Sequence, residues 1–205
     1  MNLLLKWTRW VDWLTDRFGV IAKWAVILSC FISAGNAVVR YALSYSSNAF
    51  LEIQWYLFAA VFLLAAGYTL LRQEHVKIDV ISGHFSKRTQ IWIDIIGLTC
   101  FVLPLVWVVI HLSLPLAIRA YQMNEYSSNA GGLIRWPVFA MLPLGFLLLG
   151  LQAVSELIKR IAFLRGLIPD PTQKKQAKSA EEELADFLLA KEVAEREKAA
   201  LAGKP

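Results

Sequence analysis

The sequence has few of the residues from which redox and metal sites are built. Its 205 residues include only 2 cysteines and 3 histidines. Cys30 and Cys100 both lie in long apolar segments, so we expect two buried small apolar residues and no disulfide. Quinone-linked disulfide chemistry, which needs paired cysteines at an extracytoplasmic surface, is therefore disfavoured.

Haem and metal chemistry are disfavoured as well. Only His111 lies in an apolar segment, whereas His75 and His84 share one polar loop. Bis-histidine haem in a helical membrane protein needs imidazoles that face one another at matching depth. The sequence also has no glycine-rich phosphate loop and no plausible set of nucleophile, base and orienting residue. We expect no cofactor, no metal and no enzymatic activity.

The sequence does contain long apolar segments. Hydrophobic residues make up 57% of the chain, and the mean hydropathy of +0.49 is well above that of an ordinary soluble domain. At about 1.5 Å per residue, each of four segments is long enough to cross a hydrocarbon core of roughly 30 Å. We predict an all-α polytopic membrane domain over residues 20–165, with four spans at about 22–43, 49–72, 92–119 and 136–160.

The second span, with its charged exit up to Val80, has the most distinctive pattern, and we expect the chain to be organised around it. Its first turn contains residues suited to a lipid headgroup region: Glu52, Gln54, Trp55 and Tyr56. Arg40 lies one turn after Asn36, near the end of the first span. Because a cation inside a bilayer is costly, Arg40 is expected to reach either Glu52 across a short turn or lipid phosphate.

The charged exit of the second span contains His75 and Asp79, which are four residues apart. On a helix they would share a face and could in principle hold a cation or relay a proton. Two ligands at a hydrated interface make a poor metal site, so we favour hydrogen bonding within an interhelical or subunit contact. In the third span, Pro104 and Pro115 flank His111 and are expected to bend the helix or to leave carbonyl groups free.

The two ends of the chain are predicted to lie outside the spans. Residues 1–19 are amphipathic and charged, which is typical of a helix in the membrane interface; a cytosolic extension of the first span is the alternative. Residues 166–205, rich in Lys, Glu and Ala, are predicted to form a polar helical tail in the cytoplasm.

The basic residues indicate orientation. Eleven Lys and Arg flank the spans on one side and three on the other. Both termini are therefore expected to be cytoplasmic. Because the net charge of +5 is spread along these loops, it does not indicate binding to nucleic acid.

The spans lack the parts of an independent carrier. Secondary carriers usually bind substrate at the midplane, between repeats and interrupted helices. Here no repeat is visible, and no Asp or Glu lies in the middle of any span. We therefore expect a helper of a larger partner. A membrane-bound redox or enzyme subunit and a small autonomous carrier are the alternatives.

Several motifs resemble the small (DctQ-type) membrane subunit of tripartite ATP-independent periplasmic (TRAP) transporters. They are Asn36-x-x-x-Arg40-Tyr41, Glu52-x-Gln54-Trp55-Tyr56-Leu57-Phe58, Ala65-Ala66-Gly67-Tyr68-x-Leu70, Glu74-His75-Val76-x-x-Asp79-Val80, Glu125-x-Ser127 through Gly132 to Trp136-Pro137, and Leu142-Pro143-Leu144-Gly145-Phe146. The resemblance covers about residues 20–165.

The resemblance implies a three-part importer in the bacterial inner membrane. A periplasmic receptor captures the solute, and a large membrane subunit moves it with sodium. The small subunit packs against the fixed scaffold of the large one. Family substrates are mostly organic acid anions, and the run from Ser47 to Trp55 resembles a branch linked to keto acids, mannitol or chloroaromatic acids.

The resemblance and the residue pattern together indicate two sets of interface residues. The first set is expected to have structural roles or to contact the large subunit, with its aromatic members packing against that subunit or a wedged lipid: Asn36, Arg40, Glu52, Gln54, Trp55, Tyr56, Phe58, Phe62, His75 and Asp79. The second set is expected to meet the docking receptor: Glu125, Ser127, Arg135 and Trp136.

Overall fold

The computed structural model describes residues 2–44, 47–73 and 85–171, and these ranges are helical apart from their connections. The helices are α1 (Asn2–Leu43), α2 (Asn48–Leu71), α3 (Lys87–Gly97), α4 (Leu103–Gln122) and α5 (Trp136–Leu164). A π-helical turn, Leu98–Val102, joins α3 to α4. His75, Asp79 and residues 172–205, which include most of the predicted tail, lie outside the described residues.

Four helical segments are long and apolar enough to cross a membrane: Leu3–Leu43, Asn48–Leu71, Lys87–Gln122 and Trp136–Leu164. The third comprises α3, the π-helical turn and α4. The predicted all-α polytopic fold with four spans is therefore confirmed.

Helix α1 joins the predicted interfacial segment and the first predicted span without a break. Its 42 residues correspond to about 63 Å. Its buried residues lie at helical spacing in the N-terminal half: Thr8, Val11, Thr15, Gly19 and Ala22. This half packs on α2 and α5. No residue from Lys23 to Leu43 is buried, so the apolar half of α1 is largely uncovered by the rest of the described chain.

Helix α5 is the centre of the bundle, although the sequence pointed to the second span. It contacts α1, α2, α3 and α4. Small residues allow close approach, as is common between membrane helices. A Cβ added to Gly145 would lie 2.7 Å from the Leu63 carbonyl oxygen of α2, and one added to Gly150 would lie 2.8 Å from Val106 of α4. Between α2 and α5 the core consists of Ala60, Leu64 and Leu148.

The π-helical turn lies where the sequence predicts a disturbance. Pro104 lies two residues after the end of this turn and cannot donate a backbone hydrogen bond to it. A local change of register is one way in which a helix accommodates such a residue. Pro115 is accommodated inside α4.

Cys30 and Cys100 are free thiols and are exposed on the described chain. The expectation that they are buried was wrong for this chain taken alone. The reason is that each lies on a part of its helix that no neighbouring helix covers, since the helices pack along narrow faces.

Candidate functional site

Residues 123–135 connect α4 to α5 in a short hairpin-like loop, called the outer loop below. Tyr126 and Ile134 form an isolated antiparallel bridge. The backbone N–H of Ser127 donates to Leu133 O at 2.9 Å, and that of Arg135 donates to Glu125 O at 2.8 Å. The loop is thus a defined structure and not a loose connection.

The carboxylate of Glu52, on the first turns of α2, lies directly beneath the outer loop. It is 3% exposed. It accepts hydrogen bonds from the Ser127 hydroxyl, from Asn129 Nδ2 at 2.8 Å and from Leu133 N–H at 2.7 Å. A Cβ at Gly132 would lie 2.8 Å from Glu52 Oε1, so this approach requires glycine. A buried carboxylate is costly unless hydrogen-bonded, and here the loop supplies the donors.

Two other side chains of α2 bind the same loop. Tyr56 Oη donates to Ile134 O at 2.9 Å, and Asn48 Nδ2 donates to Ala130 O at 3.0 Å. Within the loop, Arg135 pairs with Glu125 at 3.0 Å. The N-terminal end of α2 therefore holds the outer loop at several points.

At the other end of the bundle, a second polar group joins three helices and the turn that follows α2. This inner cluster consists of Asp12, Gln73, Asp94, Gln152, Ser155, Glu156, Lys159 and Arg160. Glu156 and Arg160, one turn apart on α5, pair with each other and are only 1% and 2% exposed. Such burial is tolerated only where each charge has a partner.

The remaining members attach other helices to this pair. Arg160 also binds Asp94 of α3 at 3.1 Å. Lys159 binds Glu156 and, at 3.1 Å, Asp12 of α1.

Neutral side chains add further links. Gln152 and Ser155 donate to Asp12 at 2.9 and 3.0 Å, and Gln73 donates to Glu156 at 3.2 Å. The cluster fixes α1, the turn after α2, and α3 to α5.

The outward face of α2 is apolar and aromatic. Trp55, Phe58 and Phe62 lie at helical spacing and are 64%, 71% and 71% exposed. A stripe of this kind on one helix fits either lipid or another protein.

A family model described as Tripartite ATP-independent periplasmic transporters, DctQ component, matches residues 29–163, which is more than half of the chain. The chain belongs to this family. It is thus the DctQ component, the small membrane subunit, of a TRAP transporter, and the resemblance drawn from its motifs is confirmed. The family consists of transporter components and not of enzymes. A search among curated proteins found no match.

The outer loop and Glu52 lie inside the part of the chain that matches the DctQ family, whereas Asp12 precedes it. In the described residues, no group of three or more His, Cys, Asp or Glu side chains is placed to hold a metal ion.

The structure brings together part of the predicted set. Glu52, Tyr56, Glu125, Ser127 and Arg135 meet at the outer loop. Trp136 begins α5 and contacts Tyr121 edge to face, with ring centroids 5.5 Å apart. Gln54 and Asn36 are half-buried on α2 and α1.

Of the two partners expected for Arg40, Glu52 is already bound by the outer loop, to which Tyr56 also donates. The proposed pair of Arg40 with Glu52 is not formed in the described part of the chain, because the outer loop saturates the carboxylate and Arg40 lies on an exposed face of α1. Tyr56 points toward the loop and does not share the outward face of Trp55, Phe58 and Phe62.

Sequence reasoning missed the inner cluster. Lys159 and Arg160 belong to the eleven cations that indicate orientation, and a count of charges does not show which partners they bind. Their spacing from Gln152, Ser155 and Glu156 carried a usable signal, because residues three or four apart share a helix face. A polar stripe on an otherwise apolar span indicates polar partners inside the bundle.

Proposed function

We propose that this DctQ component stabilises the stationary part of the transporter and holds no solute pathway of its own. One observation supports this proposal above the others. In the described residues, the charged interior groups lie at the two ends of the bundle, where each is bound by the outer loop or within the inner cluster. Between them the core is closely packed and apolar around Ala60, Leu64 and Leu148.

The uncovered surface agrees with a scaffold role. The apolar half of α1 and the aromatic face of α2 present large hydrophobic side chains outward. In the proposed complex, Trp55, Phe58 and Phe62 pack against the large permease subunit or against lipid held between the subunits. Such contacts add packing area without a binding pocket.

The transported solute is proposed to be an organic acid anion, such as a keto acid, imported with sodium across the bacterial inner membrane. The large subunit would bind both, and a periplasmic receptor would deliver the solute. Family membership supports the tripartite arrangement. The basic residues beside the spans favour cytoplasmic termini, which would place the outer loop on the periplasmic side, where a receptor docks.

Reconstitution tests the proposal. Liposomes with this chain alone should take up no organic acid anion, whereas liposomes with the large subunit, this chain and receptor should. Affinity purification in mild detergent should recover the large subunit with this chain. Uptake by the chain alone would contradict the scaffold role and favour an autonomous carrier, and a haem absorbance band would favour a redox subunit.

A further inference from the structure

His111 of α4 is a polar residue on a surface that faces away from the bundle. The residues of α4 that pack toward α5 are Val106, Ser113, Ala117 and Ala120. His111 lies nearly opposite them on the helix and is exposed. Its ring stacks on Trp107, with centroids 5.3 Å apart and planes 2° apart, and Trp107 is itself 67% exposed.

His111 also lies well inside the predicted hydrocarbon region. It precedes Arg119 by eight residues, which is about 12 Å along a helix. In the described part of the chain, no hydrogen bond is formed by its imidazole. Polar side chains at this depth usually face a bundle interior, a water-filled cavity or a partner, because lipid chains offer no hydrogen bond.

Pro115 removes a backbone hydrogen-bond donor at the same place. A helical carbonyl normally accepts a hydrogen bond from the backbone N–H four residues later. The residue four positions after His111 is Pro115, which lies inside α4 and has no N–H. The His111 carbonyl therefore lacks its usual donor, so one position presents both a backbone acceptor and an imidazole.

We infer that the face of α4 around Trp107 and His111 is a contact surface for a transmembrane helix of the large TRAP permease subunit. That helix carries a hydrogen-bonding side chain at the depth of His111. The inference rests on the proposed function and adds where the two subunits meet. Acyl chains cannot form a hydrogen bond with either group. Membership of the DctQ family supplies the large permease subunit as the membrane-spanning partner.

The test uses the full chain co-expressed with its large subunit and purified by an affinity tag in mild detergent. His111→Leu removes the imidazole, and Pro115→Ala supplies the missing N–H within α4. Each should weaken association about three- to tenfold, which is the effect expected of one hydrogen bond between membrane helices. His111→Gln retains a hydrogen-bonding side chain and should restore most of the association.

The stability of the isolated chain separates an interface role from a structural one. His111 has no hydrogen bond in the described part of the chain, so His111→Leu should leave the thermal unfolding of the purified subunit unchanged. A photoactivatable cross-linker in place of Trp107 should capture the large subunit.

Other results would overturn the inference. If both His111→Leu and Pro115→Ala bound the large subunit as strongly as the wild-type chain does, the inference would be overturned. The proposed function would not be affected by this result. Cross-linking from position 107 to a second copy of this chain, or to lipid alone, would have the same consequence. Failure of the wild-type chain to bind the large subunit would overturn both proposals.

Discussion

Glu52 and Glu156 are both buried carboxylates, but they are stabilised in different ways. Glu52 is bound by a hydroxyl, a side-chain amide and a backbone N–H of the outer loop, with no cation in direct contact in the described part of the chain. Glu156 pairs directly with Lys159 and Arg160. The first arrangement depends on the shape of a loop, and the second depends on charges from two neighbouring positions of one helix. Loss of either carboxylate should therefore have different consequences.

Glu52→Gln should loosen the outer loop without unfolding the bundle. The amide keeps the size of the side chain, but its nitrogen cannot accept from Leu133 N–H or from Asn129, so at least one donor remains unsatisfied. We expect faster backbone hydrogen exchange in residues 123–135. The control is Glu125→Gln, because Glu125 pairs with Arg135 at the partly exposed surface of the same loop, where such pairs contribute little. Equal exchange in the two variants would show that Glu52 does not hold the loop.

Arg160→Met should destabilise the whole bundle. The substitution leaves Glu156 and Asp94 without the guanidinium that joins them, and breaking a buried pair from one side costs about 3–5 kcal/mol. Thermal unfolding in detergent should shift strongly downward. Arg165→Met removes an exposed cation just after the same helix and should have little effect. Similar unfolding temperatures for the two variants would mean that the inner cluster contributes little to stability.

The ion pair between Arg72 and Asp16 differs from the inner cluster in being exposed. Arg72, just after α2, binds Asp16 of α1, and this hydrogen bond raises the pKa of the guanidinium. Both side chains are partly exposed to solvent. An ion pair in this environment is worth much less than a buried one. Arg72→Gln should therefore destabilise the isolated chain by less than about 1 kcal/mol, which chemical denaturation in detergent can check. A loss as large as that of Arg160→Met would contradict the distinction between the two sites.

At the scale of the helices, glycine determines how closely α2 and α5 approach. A Cβ at Gly145 would meet the backbone oxygen of Leu63, which cannot move as a side-chain end can. Gly145→Ala should therefore separate the helices and cost about 1–3 kcal/mol, a typical value for overpacking. Gly35 of α1 has no atom within 4 Å of an added Cβ, so Gly35→Ala should be neutral or slightly stabilising. Thermal unfolding of the isolated chain compares the two, and equal stability would mean that no tight contact exists at Gly145.

The spans could be predicted from sequence because length and hydropathy decide whether a helix crosses a membrane. Which helices pack against one another could not be predicted in this way. Hydrophobic periodicity shows which face of a helix is apolar, but in a membrane protein apolar faces meet lipid as well as protein. On α2, Phe58 is exposed and Leu64 is buried, yet both are equally apolar in a hydrophobicity pattern. The continuity of α1 was equally hidden, since the partners of Asp12 come from α5, about 140 residues later.

The candidate site was predictable in part for a related reason. Glu52 and the outer loop were recognised separately, because a polar loop and an acid at the start of a span are visible in sequence. The contact between them depends on residues that are far apart in sequence. Gly132 approaches Glu52 closely, and Ser127 and Asn129 donate hydrogen bonds to its carboxylate. Arg40 was a reasonable partner by proximity in sequence. The structure instead uses hydrogen bonds from residues about 75 positions away.

At the scale of the whole molecule, the two polar ends of the bundle belong to opposite membrane surfaces. The inner cluster is formed at the end where the predicted cytoplasmic cations concentrate, and the outer loop is formed at the other end. If the positive charges determine orientation, the outer loop faces the periplasm and residues after α5 face the cytoplasm.

Cysteine labelling can test this orientation. In a chain with Cys30→Ser and Cys100→Ser, a single cysteine is placed at Ser128, which is exposed in the outer loop, or at Leu167, which is exposed after α5. A membrane-impermeant maleimide applied to intact spheroplasts should label position 128 and spare position 167, because only the former reaches the outer surface. After the membrane is permeabilised, both should react, and this confirms that position 167 is accessible. The reverse labelling pattern would show that the chain has the opposite orientation. The outer loop would then lie on the cytoplasmic side, where no periplasmic receptor could bind it.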